Sequence, residues 1–173
     1  KVKETRWRRW YTCGLCEQQY HGVVECALGW ACWKTYVGRP EAIQPRIGSM
    51  ELLANGLQEA RHYEDALSVR EAELAMVRRL GAPVCNILVS MNNIACTYHM
   101  LGRDEEALSM RRDVYSGHLK LHGEEDEDTL VAANNYADTL RCLRRFEEAK
   151  SLLRKTMPVA RRVLSENQEL TLR

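Results

Sequence analysis

The stretch NIACTYHMLGRDEEAL, residues 93–108, decides how the rest of the chain is read. Ile94, Ala95 and Tyr98, with Met91 just before them, recur at the spacing of one helix face. Gly102 then marks a turn. Asp104 or a neighbour is expected to cap a second helix, with Glu105 and Glu106 in its first turn, where the helix dipole favours negative charge. That helix is expected to start at Ala107-Leu108 and to continue through Met110, Val114 and Leu121. Small side chains at 95 and 107 let the two helices cross closely. The stretch therefore reads as the turn and flanks of a helical hairpin.

The same pattern lies on both sides of it. LLANGLQEARHYEDAL (52–67) and NYADTLRCLRRFEEAK (135–150) align with residues 93–108. Ala54, Ala95 and Ala137 fall in register, as do Ala66, Ala107 and Ala149, at offsets of 41 and then 42 residues. Gly81, Gly123 and Ser165 follow the same step, and Thr129-Leu130 recurs as Thr171-Leu172. A hairpin of this kind buries one face only, so it must stack on a neighbour. Pro158 falls inside the third second-helix, SLLRKTMPVARRVL, and is expected to bend it or to begin a new one. The array is expected to stop mid-repeat and to leave an apolar edge on the third unit, through which copies of the chain would self-associate.

The small residues at 95 and 107, the aromatic at 98 and the aliphatic at 94 resemble the tetratricopeptide repeat (TPR) pattern. The period is longer than its usual ~34 residues. The linkers HGEEDEDTLVAANNYA (122–137) and, less closely, LGAPVCNILVSMNNIA (80–95) resemble the kinesin-light-chain type of TPR. The first unit departs from it, with Glu51-Leu52 where the others have Asn-Asn, and the linkers lack that family's His-Pro. The resemblance implies an all-α solenoid of antiparallel hairpins over residues 47–173. It also implies a concave groove lined by the first helix of each hairpin, where an extended partner peptide lies. The groove positions are Asn92, Cys96 and His99 in the second unit and Asn134, Asp138 and Arg141 in the third. In the first unit they are Glu51, Asn55 and Gln58. In that family the groove Asn holds the peptide backbone, and Asn92 and Asn134 are the matching positions, with Asn55 one turn further along its helix. An amide suits this task, since it offers both a donor and an acceptor to a peptide unit. The other reading of these Asn residues is that they bond between adjacent helices.

Composition agrees with a globular chain: 45% hydrophobic, 28% charged and a net charge of +1 over 173 residues. No global field asks for nucleic acid or an anionic membrane. No apolar run reaches the ~18 residues of a membrane span, and no secretory leader is evident. Seven cysteines, an odd number in scattered places, indicate reduced thiols and a cytoplasmic setting. The chain begins at Lys1 and is read as a piece of a longer protein.

The front end carries the other motif. CGLCEQQYHGVVEC (13–26) has the spacing C-x2-C-x4-H-x4-C of a zinc knuckle. However, GVVECALGWACWKTYV (22–37) reads as a helix, with Val24, Leu28 and Ala31 on one face extended by Trp30, Trp33 and Val37. His21 and Cys26 would then point ~140° apart and not converge. Three readings stay open: a complete knuckle, plain unligated cysteines, or a half site in which only Cys13 and Cys16 are ligands. In the last, Zn2+ is the implied cofactor and its site is incomplete in this chain. Cys13, Cys16, Gln18, Trp33, Pro40 and Glu41 resemble algal and protist proteins in which a cysteine-rich finger precedes kinesin-light-chain-type repeats. Residues 1–21 are accordingly read as a zinc-finger-like remnant and 22–46 as a connecting helix and linker. RWRRW (6–10) is read as a solvated strand whose tryptophans pack, in preference to a base-stacking element.

No phosphate loop, dinucleotide loop, nucleophile elbow or zinc-protease motif occurs, and no His is set beside a nucleophile and an orienting acid. The expected function is a non-enzymatic protein–protein interaction scaffold. The alternatives are the substrate-recruiting part of a RING-like ubiquitin ligase and a zinc-knuckle module for single-stranded RNA.

Overall fold

The computed structural model describes residues 7–39 and 43–171, with backbone alone for 43 and 164–171. Arg6 of RWRRW, Pro40 and Glu41 of the algal resemblance, and Leu172 lie outside the described residues.

Among the described residues there are seven helices: α1 (Gly22–Tyr36), α2 (Ile43–Glu59), α3 (Tyr63–Arg79), α4 (Val84–Met100), α5 (Asp104–His122), α6 (Glu127–Cys142) and α7 (Phe146–Thr171). They fall into two compact units, one ending at Ala82 and one beginning at Pro83. The first holds α1–α3 and the second α4–α7. The three expected hairpins are α2–α3, α4–α5 and α6–α7.

All six register alanines are buried: Ala54, Ala66, Ala95 and Ala107 fully, Ala137 and Ala149 nearly so. Each first helix ends in the same turn. His62 N donates to Leu57 O at 2.8 Å, Arg103 N to Tyr98 O at 2.9 Å, and Arg145 N to Leu140 O at 2.8 Å. Just before these donors sit Arg61, Gly102 and Arg144, with φ of 62°, 71° and 59°. This is the left-handed residue that closes a helix by back-bonding its last carbonyls. Only the middle repeat fills it with glycine. An L side chain there costs about 1–2 kcal/mol, and the freedom glycine loses on folding offsets part of that. Arg144→Gly is therefore expected to stabilise the second unit by about 0.5 kcal/mol in urea unfolding; a loss of stability would show the turn unstrained.

Four local expectations need correcting. The second helix of the middle repeat starts at Asp104, three residues before Ala107, with Asp104, Glu105 and Glu106 forming its first turn. Its N-cap is Arg103, which makes no side-chain cap bond, so Asp104 does not cap it. Pro158 does not divide α7, which runs from Phe146 to Thr171. Helix bonding resumes because the ring removes one amide donor and crowds one carbonyl, while the turns on either side are intact. Trp7 and Arg8 form a helical turn, not a strand, and the Trp7 ring lies on Gly48 and beside Tyr36, at 5.8 Å between ring centroids.

The fourth correction concerns α1. Its buried residues are Gly29 and Cys32, with Cys26 and Trp33 packed on the core of Leu53, Leu57 and Ala66. Val24, Trp30 and Val37 of the expected face are exposed. Apolar side chains surround this helix, so periodicity marks no face. The small residues choose it: a Cβ at Gly29 would lie 2.8 Å from Leu53 Cα, and one at Gly56 2.6 Å from Cys26 Cα. The α1 and α2 backbones touch through paired glycines.

Candidate functional site

The two first helices of the second unit, α4 and α6, present the expected groove residues in different settings. Asn92 is half-buried and accepts from Asn135 Nδ2 at 3.4 Å, a bond between two repeats. The Cys96 sulfur lies 3.9 Å from Arg111 Nη2. His99 Nδ1 meets Asp104 Oδ1 at 2.6 Å, tying the end of α4 to the start of α5. Asp138 accepts from Arg141 Nη2 at 2.7 Å along the exposed face of α6. Asn134 is exposed. Glu51 and Asn55 belong to the first unit, where Asn55 and Gln58 accept from Arg70 at 2.9 and 3.2 Å.

The structure brings Asn134, Asp138 and Arg141 together along one groove. Its volume is about 840 Å³, and α6 and α7 form its walls. Ala137, Phe146, Ala149, Leu153 and Met157 give it an apolar floor. Phe146 and Met157 are 58% and 43% exposed, which is high for side chains of their size. Lys150, Arg154 and Arg161 stand along the α7 rim. Four cations, counting Arg141, thus face one carboxylate, Asp138. A smaller apolar hollow of about 320 Å³ lies beside it, between Leu130, Val131 and Leu153, Met157.

Two residues escaped the sequence reading although the repeat register held them. Arg70 and Arg111 are 41 apart, each four residues after a register alanine, and both are buried. Arg111 donates to Asn135 O at 2.8 Å and to Thr139 Oγ1 at 2.6 Å. It thereby joins α4, α5 and α6. The third repeat has Leu153 at this position, and there it floors the open groove.

At the front end, residues 12–20 fold back on themselves. Cys13 N donates to Gln18 O at 2.8 Å, Glu17 N to Cys13 O at 3.0 Å, and Thr12 pairs with Gln19 in a short bridge. The amides of Cys16 and Leu15 point at the Cys13 sulfur and hold its thiol below the ordinary value, helped by the Cys16 thiol and the Tyr20 hydroxyl. A thiol lowered in this way holds more thiolate at neutral pH. Cys26 is not part of it, since it packs against Gly56 and the α2 core. Among the described residues no third Cys, His or carboxylate joins Cys13 and Cys16 at ligand spacing.

Comparison with known proteins agrees with this architecture. Residues 87–128 and 129–169 match the tetratricopeptide repeat family, so the second unit carries two such repeats. No curated protein sequence matches the chain. Among solved structures, the apo form of RapI superposes with a TM-score of 0.69 at 16% identity, over 86% of this chain and 52% of that one. BtubC (BKLC) from P. vanneervenii gives 0.65 at 17% identity, over 80% of this chain and 56% of that one. A Podosopora anserina kinesin-light-chain candidate with nearly identical TPR-like repeats gives 0.60 at 18% identity, over 79% and 74%. At these identities the likeness is one of fold. The chain spans about half the length of the first two.

Proposed function

We propose that this chain, with two tetratricopeptide repeats between residues 87 and 169, is a protein–protein interaction scaffold. We further propose that the α6–α7 groove takes a partner segment that is apolar at its centre and acidic at its edges. The observation that carries this reading is the groove itself: an exposed apolar floor under a rim of four cations and one carboxylate. An exposed apolar patch with a polar rim is the usual mark of a docking surface. Asn134 would hold the backbone of the segment, while Lys150, Arg154 and Arg161 would choose its carboxylates. Asn92 is engaged with Asn135 and supports the repeat stack in this reading. Seven free thiols favour a reducing compartment such as the cytoplasm.

A peptide array probed with the chain tests this. Acidic segments with a central apolar residue should bind, and Lys150→Glu with Arg154→Glu should weaken them about tenfold or more, most at low salt. Both side chains are exposed, so the fold should tolerate the change. Equal binding by the variant, or selection of basic peptides, would remove the proposal. If instead the chain dimerised and Met157→Glu made it monomeric, a second copy would be the occupant.

The front end supports a second, separate proposal: Cys13 and Cys16 form half of a Zn2+ site whose other ligands lie outside the described residues. Its basis is the turn geometry and the lowered Cys13 thiol.

A further inference from the structure

We propose that His118, Asp126 and Asp128 form a binding site for a divalent transition-metal ion such as Zn2+, inside the second unit and apart from the groove. His118 lies near the end of α5, Asp126 caps α6, and Asp128 sits in the first turn of α6. One ring nitrogen of His118 and one oxygen from each carboxylate all lie within 4.8 Å of one another. Around a shared ion at ~2.1 Å per bond, such donors stand roughly 3–3.5 Å apart, so modest side-chain rotation closes the set. Asp128 is exposed and free to make that rotation.

An acidic cluster alone would carry nothing, but His118 is different. It is only 6% exposed, and its Nδ1 is buried with no hydrogen-bond partner. A buried ring nitrogen is rarely left without a partner unless it has something to bind. A cavity of about 110 Å³, lined also by Asn92 and Asn135, opens onto His118 and Asp128. Asp126 is held in place: its Oδ1 accepts from Thr129 N at 3.1 Å, while its second oxygen has no capping duty. That bond would orient the ligand as outer partners do in metal sites. Glu125, one of the neighbouring carboxylates in sequence, is occupied by Arg162. The five consecutive acids Glu124 to Asp128 raise the local cation concentration.

The donor set names the class of ion. One imidazole and two carboxylates suit Zn2+ or its neighbours, whereas Ca2+ and Mg2+ prefer oxygen alone. Three protein ligands leave a coordination position for water. The ion would bridge the loop between α5 and α6 and hold the two repeats together at that joint.

Histidine-ring NMR of the full chain tests this, with Cys13→Ser and Cys16→Ser added so that thiols do not compete. Added Zn2+ alone should shift the His118 ring resonances first among the five histidines. Asp128→Asn should weaken the affinity at least tenfold, as should Asp126→Asn, whose amide oxygen can still cap α6. Helical circular dichroism checks that each variant is folded. A His118 ring unmoved by Zn2+, or equal affinity in folded Asp128→Asn, would overturn the proposal.

Discussion

Gly56→Val is expected to lower the stability of the first unit by about 3 kcal/mol. The added Cβ would meet Cys26 Cα at 2.6 Å, Cys26 N at 2.7 Å and the Glu25 carbonyl carbon at 2.9 Å. All three are backbone atoms, so no rotamer change relieves the clash and α1 must move away from α2. That movement would open the contacts of Trp33 and Cys26 with Leu53 and Leu57. Gly56→Ala should be milder, because alanine regains about 1 kcal/mol of helix propensity against the same clash. Gly29→Val should act like Gly56→Val, since its Cβ meets Leu53 Cα at 2.8 Å. Gly38→Ala is the control, with nothing within 4 Å. The readout is clean: all four tryptophans (7, 10, 30 and 33) belong to the first unit, so their fluorescence in urea follows that unit. A midpoint within experimental error of wild type for Gly56→Val would refute the close crossing.

Arg111→Ala is expected to destabilise the second unit by about 2–3 kcal/mol. Arg111 is 6% exposed, and its guanidinium holds Asn135 O, Thr139 Oγ1 and the Cys96 sulfur from one side chain. Truncation removes charge-assisted bonds and leaves a void between three helices. The charge also carries a desolvation cost, so an apolar side chain of similar length should restore part of the loss. Arg111→Met is expected within about 1 kcal/mol of wild type. Lysine, a point donor without the planar fork, should do worse than arginine at reaching both α6 oxygens. Urea unfolding by circular dichroism, with amide exchange along α6, measures these differences. An alanine variant within about 0.5 kcal/mol of wild type would show that the clamp contributes little.

Much of the fold was legible in the sequence because steric need leaves few choices. At Ala95 and Ala107 a larger side chain would separate the helices, and the same demand at 54, 66, 137 and 149 set the register. The turns were legible through Gly102, although Arg61 and Arg144 adopt the same left-handed backbone without advertising it. The face of α1 was not legible. Val24 and Trp30 offer far more apolar surface than Gly29, yet close backbone approach decided the packing. The register still shows why the first repeat departs from the others. Gly56 occupies the place of Thr97 and Thr139, and α1 meets α2 there much as Arg111 of α5 meets Thr139 of α6. At the groove, Asn134, Asp138 and Arg141 were expected from the family resemblance together with helical spacing. The apolar floor from Phe146 to Met157 was not, because the groove was expected along first helices and α7 is a second helix.

Cys32 turns the glycine crossing into a clock. Its thiol, on α1, is fully buried, and burial pushes its pKa up to about 12. Thiol reagents attack the thiolate, so while α1 stays docked this sulfur reacts negligibly at neutral pH. Its labelling must wait for α1 to lift from α2. The slow phase of thiol modification then times how often that helix lets go, in a native chain with no denaturant and no engineered label.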